Sequence, residues 1–147
     1  MENSYYNYVE EHKLLIECFC GETKIEDAFE LKNEIESNLS QVPKFSVLVD
    51  IQNSSTKTSF RRIENLVEFY LESKFTIKID CIAIITNTPS QVVNTILFID
   101  ALKKERNIPI KTFSSVESAV NWLQSGIKVA TIESILEDFK NTRELDE

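Results

Sequence analysis

The chain has one histidine and three cysteines, and these are the first residues to test for chemistry. A serine–histidine–acid triad needs an imidazole placed as base. His12 follows Glu10-Glu11 in a short polar stretch that reads as a hairpin turn, and no other histidine replaces it. Cys18 and Cys20 stand two apart in an apolar run. On a strand they share a face, with Cα atoms near the upper limit for a disulfide. C-x-C inside a strand is not the C-x-x-C at a helix start of a thioredoxin-like centre. With Cys81 the only other cysteine, no metal-ligand set is available, and buried, reduced thiols are expected. The two glycines, Gly21 and Gly126, read as punctuation after a strand and after a helix, so no phosphate-cradling loop is available. A phosphorelay receiver needs paired acids after its first parallel strand and a lysine ending its last. Cys18-Phe19-Cys20-Gly21 and Ile110-Lys111-Thr112 do not supply them. No catalytic set, no cofactor and no metal are therefore expected, and the chain reads as a non-enzyme.

The polar residues after Asp50 are the remaining candidates. Asp50 is expected near the C-terminal end of a central strand, where parallel sheets bind ligands. With Asn53, Arg61, Thr86 and Asn87 it would line one polar crevice; the plainer alternative has Asp50 accepting hydrogen bonds from the following loop amides. Ser54, Ser55, Thr58, Ser59, Arg61 and Arg62 fall in the Gln52–Ser59 loop and the helix start behind it, with Ser59 suited to cap that helix. This surface, with Thr86–Ser90 beside it, is the candidate for contact with a ligand or partner.

Length and composition bound the frame that positions these residues. The 147 residues suit one domain, and 42% apolar with 27% charged residues is a globular composition. The net charge of −8 disfavours a nucleic-acid backbone or an anionic membrane as partner. No apolar run approaches the roughly 20 residues that span a bilayer. Met-Glu-Asn-Ser-Tyr-Tyr has no basic region followed by an apolar core, so no signal peptide and a cytoplasmic location are expected.

Apolar periodicity predicts the order β-β-α-β-α-β-α-β-α-α. Ser4–Val9 suits an edge strand. In Lys13–Cys20, Leu14, Ile16, Cys18 and Cys20 line one face and Leu15, Glu17 and Phe19 the other. Thr23 and Glu26 form a capping box before a helix over Lys24–Leu39. Phe45–Ile51 reads as a buried strand, Phe60–Lys74 as a helix, and Ile77–Thr86 as a segment with a strand at its end. Thr88-Pro89-Ser90-Gln91 starts a helix running to about Arg106, with Asn107 as its left-handed cap. Ile108–Phe113 is a short strand. Ser114 and Glu117 box the fourth helix, and Ile132, Ile135, Leu136 and Phe139 mark a fifth. Strands alternating with helices imply an α/β fold: a mostly parallel five-stranded sheet, its first strand antiparallel, with right-handed crossovers and an extra C-terminal helix. One domain is expected over residues 1–140, with an acidic tail over 141–147.

The third helix is apolar nearly all round, through Val92, Val93, Ile96, Leu97, Phe98, Ile99, Ala101 and Leu102. Either the Ile132–Phe139 stripe packs on it, or a second copy does through Phe98 and Leu102.

The order of elements resembles the STAS domain of bacterial anti-anti-sigma factors, whose fold is shared by lipid-binding CRAL-TRIO domains. Three stretches carry the resemblance over about residues 5–125. They are Leu14–Gly21, Val47-Leu48-Val49-Asp50 with its polar loop, and Ile110–Phe113 followed by Val116–Leu123. The resemblance implies a non-enzymatic interaction domain with a protein partner or itself, or alternatively a binder of an apolar small molecule. The first implies a filled core and the second a cavity of several hundred Å³. Anti-anti-sigma factors are phosphorylated on a serine within Asp-Ser-Ser-Gly. Here the corresponding residues are Thr58-Ser59-Phe60-Arg61, and Phe60 stands where the acceptor serine would be, a departure from that mechanism.

Overall fold

The computed structural model describes residues 3–56 and 60–146, without the side chains of residues 60, 61 and 146. Five strands form one sheet in sequence order: β1 (Ser4–Val9), β2 (Leu14–Glu22), β3 (Phe45–Ser55), β4 (Ile79–Ile85) and β5 (Ile110–Phe113). β1 pairs antiparallel with β2 across the Glu10–His12 turn, and the other neighbours pair in parallel, as expected. Between the parallel strands run α1 (Ile25–Asn38), α2 (Phe60–Glu72) and α3 (Pro89–Lys103); α4 (Val116–Leu123) and α5 (Val129–Asp146) follow the last strand.

This order decides the layering. Crossovers between parallel strands are right-handed, so a sheet built in one direction puts every crossover helix on the same face. Leu31 and Ile35 of α1, Ile63, Val67 and Tyr70 of α2, and Phe98 and Leu102 of α3 accordingly share one core with Leu15, Phe19, Val47, Val49 and Ile82. The other face, with Leu14, Ile16, Leu48, Ala83 and Ile85, can be covered only by chain after β5. Ala119, Val120 and Leu123 of α4 and Ile132 of α5 do so. The predicted division of β2 between the two faces holds residue by residue.

That layering corrects the reading of α3. The Ile132–Phe139 stripe does not pack on α3; it lies across the sheet from it, and Phe139 stacks on Tyr5 with ring centroids 5.7 Å apart. Phe98 and Leu102 are not an outer face either. Both are buried under α3, Phe98 edge-on to Tyr70 at 5.2 Å. The apolar side chains that α3 leaves outside are Val93, 55% exposed, and Ile96, 47% exposed.

Local boundaries shift for local reasons. α1 begins one residue later than the Thr23 box implies. The Asp27 carboxylate accepts from the Lys24 amide at 2.7 Å, while the Thr23 hydroxyl turns back to the carbonyls of Cys20 and Gly21. α4 is capped by Ser115, not Ser114: its hydroxyl accepts from the Ser118 amide at 3.2 Å. Among the described residues the left-handed positions outside glycine are Lys13 and Gln124, so Asn107 is no left-handed cap. α5 runs from Val129 through Asp146, so much of the expected tail is helix. The largest shift is in β3. Gln52–Ser55, expected as loop, continues the strand, and Asn53–Ser55 pair with Cys20–Glu22 beyond a register shift between Cys18 and Cys20.

Candidate ligand site

The crossover helices do not close fully on the sheet. A cavity of about 680 Å³ lies between β2–β4 and α1–α3. Its inner walls are apolar, among them Phe19, Val49, Ile82, Ile84 and Phe98. Its rim is polar and sits where β2, β3 and β4 end: Glu22, Thr23 and Lys24, then Ser54, Ser55 and Thr56, then Thr88 and Ser90. Carboxyl ends of parallel strands are where α/β sheets present ligand sites.

Glu17 and Lys32 stand inside this apolar wall. Glu17 is central in β2 and 0% exposed; its Oε2 accepts from the Lys32 ammonium, which α1 delivers from the helix face shared with Ala28, Leu31 and Ile35. Glu17 Oε1 is buried and has no hydrogen-bond partner among the described residues. The Lys32 ammonium also lies 5.5 Å from the centre of the Tyr70 ring and 5.8 Å from that of Phe75. Burial alone would lower the Lys32 pKa; the Glu17 charge and the Tyr70 oxygen outweigh it and hold the pKa above its usual value. Burial pushes the Tyr70 phenol up, with Lys32 opposing and Glu17 adding.

Gln91 holds the rim. Its side-chain amide donates to the carbonyls of Ile51 and Ser54, each at 2.8 Å, and to Gln52 at 3.3 Å. Its Oε1 accepts from the amides of Asn87 at 2.6 Å and Thr88 at 3.2 Å, while the Thr88 hydroxyl caps Gln91 in return. The predicted capping box is therefore present, and its glutamine also fastens the irregular stretch of β3 to the start of α3.

The residues singled out from sequence do not meet in one crevice, because the register shift after Asp50 adds a residue to β3 and reverses the faces its side chains take. Ser54 and Ser55 line the rim of the first cavity. Asp50 and Asn53 face the other side, where a second cavity of about 560 Å³ lies under α5 with Cys18, Cys20, Lys140 and Arg143. Thr86 is buried and pairs with the Phe113 carbonyl through its amide at 2.9 Å, and the Asn87 amide goes to Gln91. Arg62 pairs at the surface with Glu26, tying α2 to α1 and holding the Glu26 carboxyl below its usual range. Thr58, Ser59 and the Arg61 side chain lie outside the described residues.

Asp50 behaves as the plainer reading expected. It is 5% exposed, and its Oδ1 accepts from the Gln52 amide at 3.0 Å and the Gln52 side chain at 3.1 Å. Burial still raises its pKa, the Gln52 bonds opposing. Burial, helped by Asp50 and Cys20, pushes the Cys18 thiol up to about 12. Cys18 is thus a thiol and not a nucleophilic thiolate at neutral pH. Cys18, Cys20 and Cys81 form no disulfide.

A pH dependence follows from Asp50. Below its ordinary value of 3.8 the carboxyl is neutral folded and unfolded. Between that and its raised folded value, the folded chain keeps a proton that the unfolded chain loses. The Asp50 contribution to stability therefore falls as pH rises through this window. Asp50→Asn keeps the acceptor for Gln52 and removes the titration. Urea midpoints measured across the window should decline less with pH in the variant than in the wild type.

Most of the fold has a solved counterpart. The crystal structure of an uncharacterized DUF3478-family protein from Shewanella loihica PV-4, described as having a SpoIIAA-like fold, matches with a TM-score of 0.60. The match covers 84% of this chain and 95% of that one. The fold is SpoIIAA-like. At 19% identity the likeness concerns architecture alone. No protein-family model matches the sequence, and no curated protein matches it significantly. The SpoIIAA-like fold agrees with the STAS resemblance carried by Leu14–Gly21, Val47–Asp50 and Val116–Leu123. No helix among the described residues is long and apolar enough to cross a membrane.

Glu17, Lys32, Tyr70 and Gln91 were not among the site residues proposed from sequence. The first two leave a signal: Glu17 is the one charge in the run Leu14–Cys20, and Lys32 interrupts the buried stripe of α1.

Proposed function

We propose that this STAS-like domain binds a small, largely apolar molecule between its sheet and crossover helices, and carries out no reaction on it. The cavity of about 680 Å³ supports this reading. Protein cores pack like organic crystals, with few voids larger than a water. A space within the 300–1,000 Å³ usual for ligand pockets, apolar inside and polar at its rim, is what a binder needs. The interaction-domain reading called for a filled core. Catalysis has no residue set to support it, and the two charges buried in the cavity wall, Glu17 and Lys32, pair with each other.

The test is titration with N-phenyl-1-naphthylamine, a neutral apolar fluorophore. One saturable site per chain with micromolar affinity is expected. Ala28→Trp, which fills the cavity from α1, should weaken that binding at least tenfold. Absent or unsaturable fluorescence, or equal binding by the filled variant, overturns the reading.

A further inference from the structure

We infer that the cavity selects a neutral ligand ending in a hydrogen-bond donor, a primary alcohol being the simplest case, and that Glu17 Oε1 accepts the bond. This deepens the ligand-binding reading and rests on it.

Glu17 lies five residues back along β2 from Glu22 at the rim, about 16 Å at strand spacing. A ligand therefore reaches it only by passing the apolar walls, so its polar group leads and its apolar body follows. At that depth Oε2 is held by Lys32 and Oε1 is buried without a partner. Buried acceptors in folded proteins are nearly always satisfied, because leaving one bare forfeits its hydration without return. The Lys32 ammonium bonds Oε2 and lies over the Tyr70 ring, 5.5 Å from its centre.

Charge fixes the rest of the ligand's chemistry. The Glu17 and Lys32 charges cancel, and the nearest titratable group, Tyr70, has its phenol held neutral by burial. A ligand carboxylate would set two carboxylates side by side in a low-dielectric site. A ligand ammonium would leave one uncompensated positive charge there. A hydroxyl satisfies Oε1 and changes no charge.

The experiment is displacement of bound N-phenyl-1-naphthylamine by three ten-carbon probes: decan-1-ol, its isomer 1-methoxynonane, and decanoate. The ether has the same atoms and more apolar character but no donor. Decan-1-ol should bind at least tenfold more tightly than either of the others. The double variant Glu17→Leu/Lys32→Met, which removes both charges together, should lose the preference for alcohol over ether, read as the ratio of the two affinities within that variant. Ether binding as tightly as alcohol overturns the inference while leaving ligand binding intact. So does decanoate binding most tightly, which would make Lys32 the recognising group. An alcohol preference that survives in the double variant overturns it too. Failure of the fluorophore itself to bind overturns the reading beneath. The wild-type comparison needs no variant to fold.

Discussion

Glu17→Ala is expected to destabilise the domain by about 3–5 kcal/mol, and Lys32→Met by a similar amount. Each change leaves the partner's charge buried in apolar surroundings, Lys32 against Tyr70 and Phe75 or Glu17 in the middle of β2. A loss of that size is a large part of the roughly 5–15 kcal/mol that holds a domain folded. The double variant Glu17→Leu/Lys32→Met should behave differently. It removes both desolvation penalties at once and should be more stable than either single variant, within about 2 kcal/mol of the wild type. Urea unfolding followed by far-ultraviolet circular dichroism gives all four corners of the cycle. Simple addition of the two single losses would show that the pair is not coupled. Alkaline pH offers an independent check. The Lys32 pKa is raised by folding, so its contribution is fully present below the ordinary value of 10.5 and is lost as pH rises through the folded value. Wild-type stability should fall there more steeply than that of the double variant.

Gln91→Ala should cost about 3 kcal/mol, an amount large for one residue at the edge of a cavity. Its amide reaches the carbonyls of Ile51 and Ser54, and its oxygen takes the amides of Asn87 and Thr88. At about 1 kcal/mol net for each bond, and more for groups left buried and bare, three or four lost bonds reach that figure. The same substitution should weaken N-phenyl-1-naphthylamine binding severalfold, because Ile51, Ser54 and Gln91 all line the cavity. Thr88→Ala removes only a cap, at about 1 kcal/mol, and serves as the comparison. Equal losses from the two variants would mean that Gln91 acts as a helix cap alone.

The layout was legible in the sequence because it rests on local periodicity. Lys13–Cys20 divides between two faces as its alternation says; α1 and α2 announce themselves by their stripes, and α3 by its Thr88–Gln91 capping box. What was hidden depends on residues far apart in the chain. Gln52–Ser55 carries no strand-like alternation of apolar residues, yet Asn53–Ser55 pair with Cys20–Glu22, and Gln91, some 40 positions on, fastens the stretch. The stripe at Ile132–Phe139 is plainly helical, but nothing within it says which face of the sheet it covers. That follows only once every crossover is known to lie on the opposite side. The candidate crevice failed for a related reason. Asp50 and Ser54 are four residues apart and would share a face on a regular strand, but the register shift between them sends them into different cavities. Glu17 and Lys32 are 15 positions apart, and each looks like an isolated exception until β2 and α1 are packed together.

The placement of α4 and α5 also orders events during synthesis. By the time β5 has been made, the sheet has all its strands and one complete helical layer. Its second face, with Leu14, Ile16, Leu48, Ala83 and Ile85, is still bare. Only residues 116–146, the last described to leave the ribosome, can cover it. The nascent chain thus exposes an apolar sheet surface until α4 and α5 have emerged, the kind of surface that invites chaperones and self-association. Tyr5 of the first strand gains its stacking partner Phe139 only when α5 has been made.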